Sequence, residues 1–505
     1  MGRQCLHAMV LALPVLAAGC VVGPHYRAPE LATAARYAET AAGPASSAAV
    51  NGPISGWWTQ LGDAQLDNLI ARALAANLDL DTAASRVRQA RLQEISAGAA
   101  YWPTIKASGA AQRTRLSENS VSLGGLGGLT GGTAGASGSA SGSALGFGLP
   151  GSELNMFQIG FDASWQLDFF GRTRRSVDAA DADAAAAIWD LRDTQVSIAA
   201  EVAGTYLGMR FTEERIRIAQ SDLSRLQQML HLLEVRASGG LASQLDVRQQ
   251  QMEVAATSAR LPLLESQARL QLHALAVLLG EAPEGFTVDA SSMATRPSIP
   301  ADILPGVPSE LLRRRPDIRR AERQMAAATA RTGVAVADLY PQFSLSASPS
   351  LSSSTLSKLL TGGSFGYSVG PTVVWPLFNA GRTRASVNIA NETERQALTA
   401  YRKSVLTALK EVEDALTRTA ADQARQARLE QAAEFAEAAE RLSREQYQGG
   451  LVDFSRVLSA QGMRLTADED VAQGRATIAQ DWVTLYKALG GGWRDDDSMP
   501  ERKAH

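Results

Sequence analysis

The sequence is poor in cysteine, histidine and aromatic residues. Of its 505 residues two are cysteines, Cys5 and Cys20, and five are histidines. Two cysteines near the amino terminus cannot build a disulfide framework, and with scattered histidines they cannot form a zinc site of the usual spacing. Aromatic residues make up 6% of the chain and alanine is very common, which suits packed helices better than a large aromatic core.

The chain also lacks strong net charge and long apolar runs. Its formal net charge is −3, so the bulk charge does not attract nucleic acid. No segment after the amino terminus reaches the roughly 18 consecutive apolar residues of a transmembrane helix. If the chain crosses a membrane, it must do so as a closed β-barrel, because lipid leaves open sheet edges unpaired.

The sequence carries no recognisable catalytic or metal-binding constellation. No Ser/His/Asp, Cys/His or metal-spaced cluster stands out, so we predict no enzyme, no cofactor and no metal. The basic stretch "ELLRRRPDIRRAER" resembles a nucleic-acid patch in composition. We favour an exposed helix face with ion pairs, because a secretory signal precedes it.

That signal is the amino-terminal stretch "MGRQCLHAMVLALPVLAAGC". Arg3 precedes an apolar run too short to span a bilayer, and the run ends in "LAAGC", the pattern of a bacterial lipobox. We predict a signal peptide over 1–19, lipidation of Cys20, and a lipid-anchored segment over 20–62. Residue 21 is Val, so the usual inner-membrane retention signal is missing. The alternative is an ordinary signal peptide in which Cys20 occurs by chance.

The chain contains one unit twice. "WQLDFFGRTRRSVDAAD" at 165 matches "WPLFNAGRTRASVNIAN" at 375, and "GGLASQLDV" at 239 matches "GGLVDFSRV" at 449, both at an offset of 210. Upstream the offset is 238, and the glycine- and serine-rich run before residue 150 accounts for the extra 28 residues as a flexible loop. We predict repeats over 63–290 and 301–493 and a polar tail over 494–505.

Each repeat contains a predicted β-hairpin. From Phe157 to Phe169 every odd position is apolar and every even position is polar or glycine, which predicts a strand with one apolar face and one polar face carrying Asp162 and Asp168. "TIKASGAAQRT" is its predicted partner. The second hairpin comprises "QFSLSASPSLS" and "FGYSVGPTVVWPLF", whose Pro371 and Pro376 predict an imperfect strand end.

Two long helices follow the hairpins. Proline-free sequence runs from Arg172 to about Arg236 and from Arg382 to about Gln446, and about 65 residues give a length of about 100 Å. Coiled-coil spacing predicts packing against a return helix, which Pro262 is expected to kink in the first repeat. The apolar positions of that spacing are Leu223, Leu226, Leu230 and Leu233.

These elements predict a shared membrane wall. Two hairpins supply four strands, whereas a membrane barrel needs at least about eight. Two chains would give eight strands and three would give twelve, and physics alone does not choose between them. The polar face would line a water-filled lumen, and the helices would continue the pore as a tube.

Three features resemble the TolC-type outer-membrane efflux channels, and among them the NodT-like outer-membrane lipoproteins. They are "GCVVGPHYRAPE", the block "PSELLRRRPDIRRAERQMAAATARTGVAVADLYPQFSL" from 308, and the duplicated Gly-Arg-Thr-Arg turns. The resemblance implies a mainly α protein with a membrane β-barrel: a homotrimer whose twelve-stranded barrel continues into a coiled-coil α-barrel.

The same resemblance implies a function and partners. The chain would be a passive conduit across the outer membrane for substrates delivered by a periplasmic adaptor (membrane fusion) protein and an inner-membrane pump of the resistance-nodulation-division type. Alternatives are an exit duct for type I protein secretion and a lipid-anchored coiled-coil tether without a pore. The tether would not explain the two alternating hairpins.

Three further sets of candidate site residues follow. The turns Gly239-Gly240-Leu241 and Gly449-Gly450-Leu451 are predicted to form the adaptor-binding tip, with Val452 and Phe454 beyond as exposed apolar residues. Glu437 and Glu440 are a candidate gate, for which a solvated helix face is the alternative. Asp162 and Asp168 are predicted to face the lumen and favour cations.

Overall fold

The computed structural model describes residues 21–29, 34, 37–38, 54–115, 153–288 and 308–493. The predicted lipidation site Cys20, the signal peptide over 1–19 and the tail over 494–505 lie outside these ranges. Among the helices of the described ranges, none is both long and apolar enough to span a bilayer.

The order of elements follows the predicted repeat. In the first repeat the elements are α1 (Ala64–Ala76), α2 (Leu78–Gly98), β1 (Thr104–Arg115), β2 (Glu153–Leu167), α3 (Arg172–Ser238), α4 (Gln244–Ser258) and α5 (Leu261–Leu278). In the second they are α6 (Pro308–Arg314), α7 (Pro316–Ala337), β3 (Gln342–Ser353), β4 (Phe365–Val374), α8 (Arg382–Gln448) and α9 (Phe454–Ala488). A 3-10 helix over Ile54–Leu61 precedes α1.

The two repeats match residue for residue in their long helices and turns. Helices α3 and α8 have 67 residues each and begin 210 positions apart. The glycines with positive φ recur at the same offset: Gly171 and Gly381 (81° and 84°), Gly240 and Gly450 (73° and 74°), and Gly280 and Gly490 (73° and 75°). Helices α3 and α8 each extend two residues beyond their predicted ends at Arg236 and Gln446.

The chain divides into two compact units. The described residues within 1–25, 93–179 and 329–392 form the sheet unit, and those within 26–92, 180–328 and 393–505 form the helical unit. In the sheet unit the strands are antiparallel in the order β1-β2-β3-β4. The two predicted hairpins are therefore confirmed, and β2 also pairs with β3.

The register gives the sheet one apolar face across all four strands. Ala107 lies opposite Phe161, Trp165 opposite Leu345, and Ala347 opposite Val369. Alternate positions carry the polar residues, including Gln158, Asp162, Ser164, Ser344, Ser346, Ser368 and Thr372. Both faces are largely exposed in the single chain, and Phe161 and Tyr367 have 56% and 73% of their surface accessible.

Two strand ends differ from the prediction. Strand β2 ends at Leu167, so Asp168 and Phe169 lie beyond it, and β4 ends at Val374, before Trp375 and Pro376. Pro371 lies inside β4, directly opposite Leu345 of β3.

The core of the helical unit is aromatic at its centre. Trp57 of the 3-10 helix is fully buried and packs edge-on against Trp482, with ring centroids 5.2 Å apart, and stacks on Tyr486 at 5.5 Å. Along α3, Leu226 and Leu233 are buried, whereas Leu223 and Leu230 are half-buried. All four leucines of the predicted coiled-coil spacing are thus at least half-buried.

The return helix of the first repeat is interrupted where a kink was predicted. Helix α4 ends at Ser258 and α5 begins at Leu261, with Pro262 in its first turn. Helix α9, its counterpart in the second repeat, runs without a break.

Candidate functional site

The paired turns that end α3 and α8 share one backbone geometry. The Leu241 N–H donates to the Arg236 carbonyl at 2.8 Å, and the Leu451 N–H donates to the Gln446 carbonyl at 2.9 Å. The Gly240 N–H donates to the Ala237 carbonyl at 3.1 Å and the Gly450 N–H to the Tyr447 carbonyl at 3.0 Å, which completes the same pattern in each copy. This is a Schellman helix end, in which the residue in the left-handed conformation is glycine.

The side chains after these turns divide into exposed and buried ones. Leu241 and Leu451 expose 73% and 78% of their surface. Phe454 is 2% exposed, so the prediction that it is an exposed tip residue is wrong. It packs edge-on against Tyr447, with ring centroids 5.5 Å apart, because the two turns share a small core. Met229, Leu233, Val247, Tyr447, Phe454 and Val457 are the buried members of that core.

That shared core holds the two turns together. Leu233 comes from α3, Val247 from α4 and Val457 from α9, so both repeats contribute. The guanidinium of Arg236 also lies over the Tyr447 ring, 5.0 Å from its centroid. The two exposed leucines are consequently presented on a packed support.

The two candidate gate glutamates occupy different environments. Arg464 of α9 donates to Glu440 at 2.7 Å and lies 3.5 Å from Glu437. The Glu440 side chain is 8% exposed, whereas that of Glu437 is 59% exposed. A side chain already buried within a single chain does not fit a pore lining, so Glu440 is corrected to an interhelical ion pair. The gate remains a prediction for Glu437.

Sequence reasoning missed Arg464. An arginine in an exposed-looking helix carries no local signal, and only the register between α8 and α9 brings it to the two glutamates. Burial lowers and the neighbouring Glu440 raises the pKa of Arg464, with a net upward direction, so the guanidinium stays charged.

The two candidate lumen aspartates also differ. Asp162 lies on the polar face of β2, directly opposite Lys106 of β1, and accepts a hydrogen bond from Ser108 Oγ at 3.1 Å. Asp168 lies past the strand and accepts a hydrogen bond from the Arg174 N–H at 2.9 Å, at the amino terminus of α3. The prediction that Asp168 is on the strand is wrong, because its carboxylate serves that helix end instead.

The segment after Cys20 is held against the sheet unit. The Val22 N–H donates to the Phe170 carbonyl at 3.2 Å, and Arg175 contacts the His25 ring nitrogen Nδ1 at 3.2 Å. A Cβ on Gly171 would lie 2.9 Å from the Val21 side chain. Residues directly after Cys20 are therefore fixed beside the end of β2.

One end of the sheet is rich in aromatic side chains, and two of them form matching bonds. Trp165 Nε1 donates to the Tyr101 carbonyl at 2.9 Å, and Trp375 Nε1 donates to the Leu339 carbonyl at 3.0 Å. Trp102 at the start of β1 is 75% exposed. In the described ranges no three His, Cys, Asp or Glu side chains are grouped to hold a metal ion.

Comparison with known proteins identifies the family. The model of the family "Outer membrane efflux protein" matches residues 69–281 and 307–491. The chain is 35% identical over 453 residues to the pyoverdine export outer membrane protein OpmQ of Pseudomonas aeruginosa, covering 88% of this chain and 89% of the relative. It is 30% identical to nodulation protein T of Rhizobium leguminosarum bv. viciae, covering 99% and 97%.

A solved structure gives the same result. The outer-membrane channel OprN superposes with a TM-score of 0.81 at 33% sequence identity, covering 94% of this chain and all of that one. The chain therefore belongs to the outer membrane efflux protein family, which confirms the predicted family, its location in the outer membrane and its function in efflux.

Proposed function

We propose that three copies of this chain close their sheets into one twelve-stranded barrel that forms the outer-membrane duct of a tripartite efflux system. The observation that carries this proposal is the sheet register, which collects apolar side chains on one face of all four strands. A lipid-facing surface needs such a face, and the opposite polar face suits a water-filled lumen.

The edges of the sheet support joining to other copies. Among the described strands, β1 and β4 each pair on one side only. An edge in lipid would leave N–H and C=O groups without partners, and closure with neighbouring copies removes that cost. Trp102, Trp165 and Trp375 suit the membrane–water interface at one end of the sheet.

Exposed apolar side chains of the helical unit support the same assembly. Leu263, Leu270 and Val277 lie seven residues apart on α5 and are 73%, 64% and 63% exposed. Phe435 and Leu442 have the same spacing on α8 and are 70% and 53% exposed. A seven-residue repeat is the signature of helix pairing, so we assign these two rows to contacts between adjacent copies.

The paired turns are proposed to bind the periplasmic adaptor. Leu241 and Leu451 are exposed on a shared core, and exposed apolar residues commonly mark contact surfaces. The adaptor would connect the duct to an inner-membrane pump of the resistance-nodulation-division type. The name of the Pseudomonas aeruginosa relative, which refers to pyoverdine export, supports a small-molecule cargo.

Cys20 is proposed as the lipid anchor. The contacts of Val22 and His25 would then place the acyl chains beside the aromatic end of the sheet. Replacing Cys20 by Ser, with a conventional signal peptide, should abolish labelling by radioactive palmitate. Persistent label would refute the site.

Two matched substitutions test the duct and its docking site. Leu241 and Leu263 have the same exposed fraction, 73%. Leu263→Glu should lower the fraction of protein that runs as a heat-resistant trimer and the number of single-channel openings recorded. Leu241→Glu with Leu451→Glu should leave the trimer and conductance intact and abolish adaptor cross-linking and efflux. A protein without conductance in planar bilayers would instead be a tether, and normal efflux by the tip variant would exclude the turns as the docking site.

A further inference from the structure

Pairs of polar side chains join helix α8 to the antiparallel helix α9 at several positions along their length. Glu440 of α8 meets Arg464 of α9 at 2.7 Å. Glu430 meets Arg475 at 3.0 Å in the same antiparallel register. In both pairs an acid on α8 meets an arginine on α9, so opposite charges face each other, and the arginine stays protonated.

At the next position along the two helices, the acid on α8 does not face an arginine. There an acid meets an acid, because the side chain of Asp422 on α8 lies next to that of Asp481 on α9. Asp481 is 9% exposed, and its Oδ2 is buried with no hydrogen-bond partner among the described residues. Two carboxylates in contact cannot both remain ionised without a large cost, and a buried acceptor without a donor adds to it.

We infer that Asp422 and Asp481 form a proton-binding site, in which one shared proton links α8 to α9. A protonated Asp481 can donate a hydrogen bond to the Asp422 carboxylate, so the proton removes the repulsion between the two side chains. Chemically the site resembles other carboxyl pairs that titrate together.

The surroundings favour uptake of this proton. Burial and the Asp422 carboxylate raise the pKa of Asp481 to about 6, against an opposing effect of the Arg418 cation. Arg418 is largely exposed and lies 4.0 Å from Asp414, so its charge is shared with another acid. Gln480 beside the pair is turned to the Gly204 carbonyl of α3, at 2.7 Å.

The first repeat has no such site. At the offset of 210, Asp422 and Asp481 correspond to Thr212 and Gln271, which carry no charge. The Thr212 hydroxyl donates to the Gly208 carbonyl of its own helix at 2.9 Å. At this position only the second repeat has an acid pair, and the first repeat has two neutral side chains there.

The direction of the pH effect follows from linkage. Because the pKa of Asp481 is raised in the folded chain, the stabilisation by the bound proton is complete below the ordinary aspartate pKa and is lost as the pH rises through about 6. The contact between α8 and α9 should therefore be more stable in acid than at neutral pH.

Infrared difference spectroscopy of the full-length chain in deuterated detergent solution tests the site. The wild type should lose the absorption of one protonated carboxyl per chain with a midpoint near pH 6. Asp481→Asn should lack this band and Asp422→Asn should shift its midpoint to lower pH, while Asp468→Asn, which removes an acid already paired with Arg464, should leave the band and its midpoint unchanged. A band retained in Asp481→Asn, an unshifted midpoint in Asp422→Asn, or a band absent from the wild type would overturn the inference.

Thermal unfolding provides a second measurement. The wild type should have a higher melting temperature at pH 5 than at pH 7.5. The double change Asp422→Thr with Asp481→Gln, which copies the first repeat, should reduce that difference. If the double variant keeps the wild-type difference, the proton site is contradicted. A second contradicting result would be a rise in the wild-type melting temperature when Mg²⁺ is added at pH 7.5, absent from the double variant. The pair would then bind a metal ion instead of a proton.

Discussion

Lys106 of β1 lies directly opposite Asp162 of β2 on the polar face of the sheet. Directly opposite residues on one face of an antiparallel pair are close enough for their charges to interact. With one of each per chain, any ring of these residues in the proposed barrel is electrically neutral. In that barrel, a ring of lysines would balance the carboxylate ring predicted from the sequence.

Ion selectivity should therefore respond to each residue with opposite sign. Asp162→Asn leaves the lysines unbalanced, so the reversal potential in a salt gradient should shift toward anion selectivity. Lys106→Gln should shift it toward cations, and the double variant should return to the wild-type value. If neither single substitution moves the reversal potential, these strands do not line the conducting pore.

Glu440 and Glu437 give a matched pair for stability. Glu440→Ala removes the 2.7 Å partner of Arg464, which keeps longer contacts to Glu437 and Asp468, so the loss should be below the value for an uncompensated buried charge, at about 2 kcal/mol of the free energy of unfolding. Glu437→Ala removes an exposed, longer contact and should cost at most about 1 kcal/mol. Denaturant unfolding followed by helical circular dichroism measures both. Equal losses would contradict the assigned environments.

Conductance tests the remaining gate prediction. If Glu437 lines the constriction, Glu437→Ala should raise single-channel conductance because a charged, bulky side chain leaves the pore. Glu437→Gln, which keeps the size, should change ion selectivity more than conductance. Unaltered traces for both variants would assign Glu437 to the solvated surface.

The glycines of the two turns should differ in how much stability is lost when each is replaced by alanine. Gly240 and Gly450 have φ of 73° and 74°, so replacing either by Ala should cost about 1–2 kcal/mol in the free energy of unfolding. Gly239 and Gly449 lie outside that conformation, and a Cβ on either would meet its nearest atom at 3.6 Å. Ala at these two positions should leave the melting temperature unchanged. A large loss there would mean that the turns are more tightly packed than the contacts indicate.

Local signals explain why much of the architecture could be predicted from the sequence. Alternation of apolar residues predicted β2 and β3, the absence of proline predicted α3 to within two residues, and the paired glycines predicted both turns. Each of these features depends on neighbours along the chain, such as side-chain period or backbone φ.

The side-chain environments could not be predicted because they depend on register between elements. Glu440 and Glu437 look alike in sequence, and only the packing of α9 on α8 buries one and exposes the other. Phe454 looks like an exposed tip residue in the sequence, but Leu233 and Val247 of the first repeat share a core with it. Comparing the repeats at the offset of 210 would have identified Asp481, where an acid replaces Gln271.

The break between α4 and α5 leads to a final prediction. Ala259 and Arg260 already have right-handed helical φ and ψ, so the interruption depends mainly on Pro262, which lacks the N–H that would bond to the residue four positions earlier. Its counterpart in the second repeat is Ala472, inside the continuous α9.

Pro262→Ala should therefore join α4 to α5 and raise the free energy of unfolding by up to about 3 kcal/mol. The reverse change, Ala472→Pro, should destabilise α9 by at least about 3 kcal/mol, because Ala472 is buried as well as helical. Hydrogen exchange of the amides around 258–264 would show the new helical bonds directly.

Beside the break lies a cavity of about 350 Å³ lined by Thr257, Arg260 and Leu263. If Pro262→Ala instead lowers stability, the interruption is needed to shape that cavity, and straightening the helix costs more in packing than the added hydrogen bond contributes.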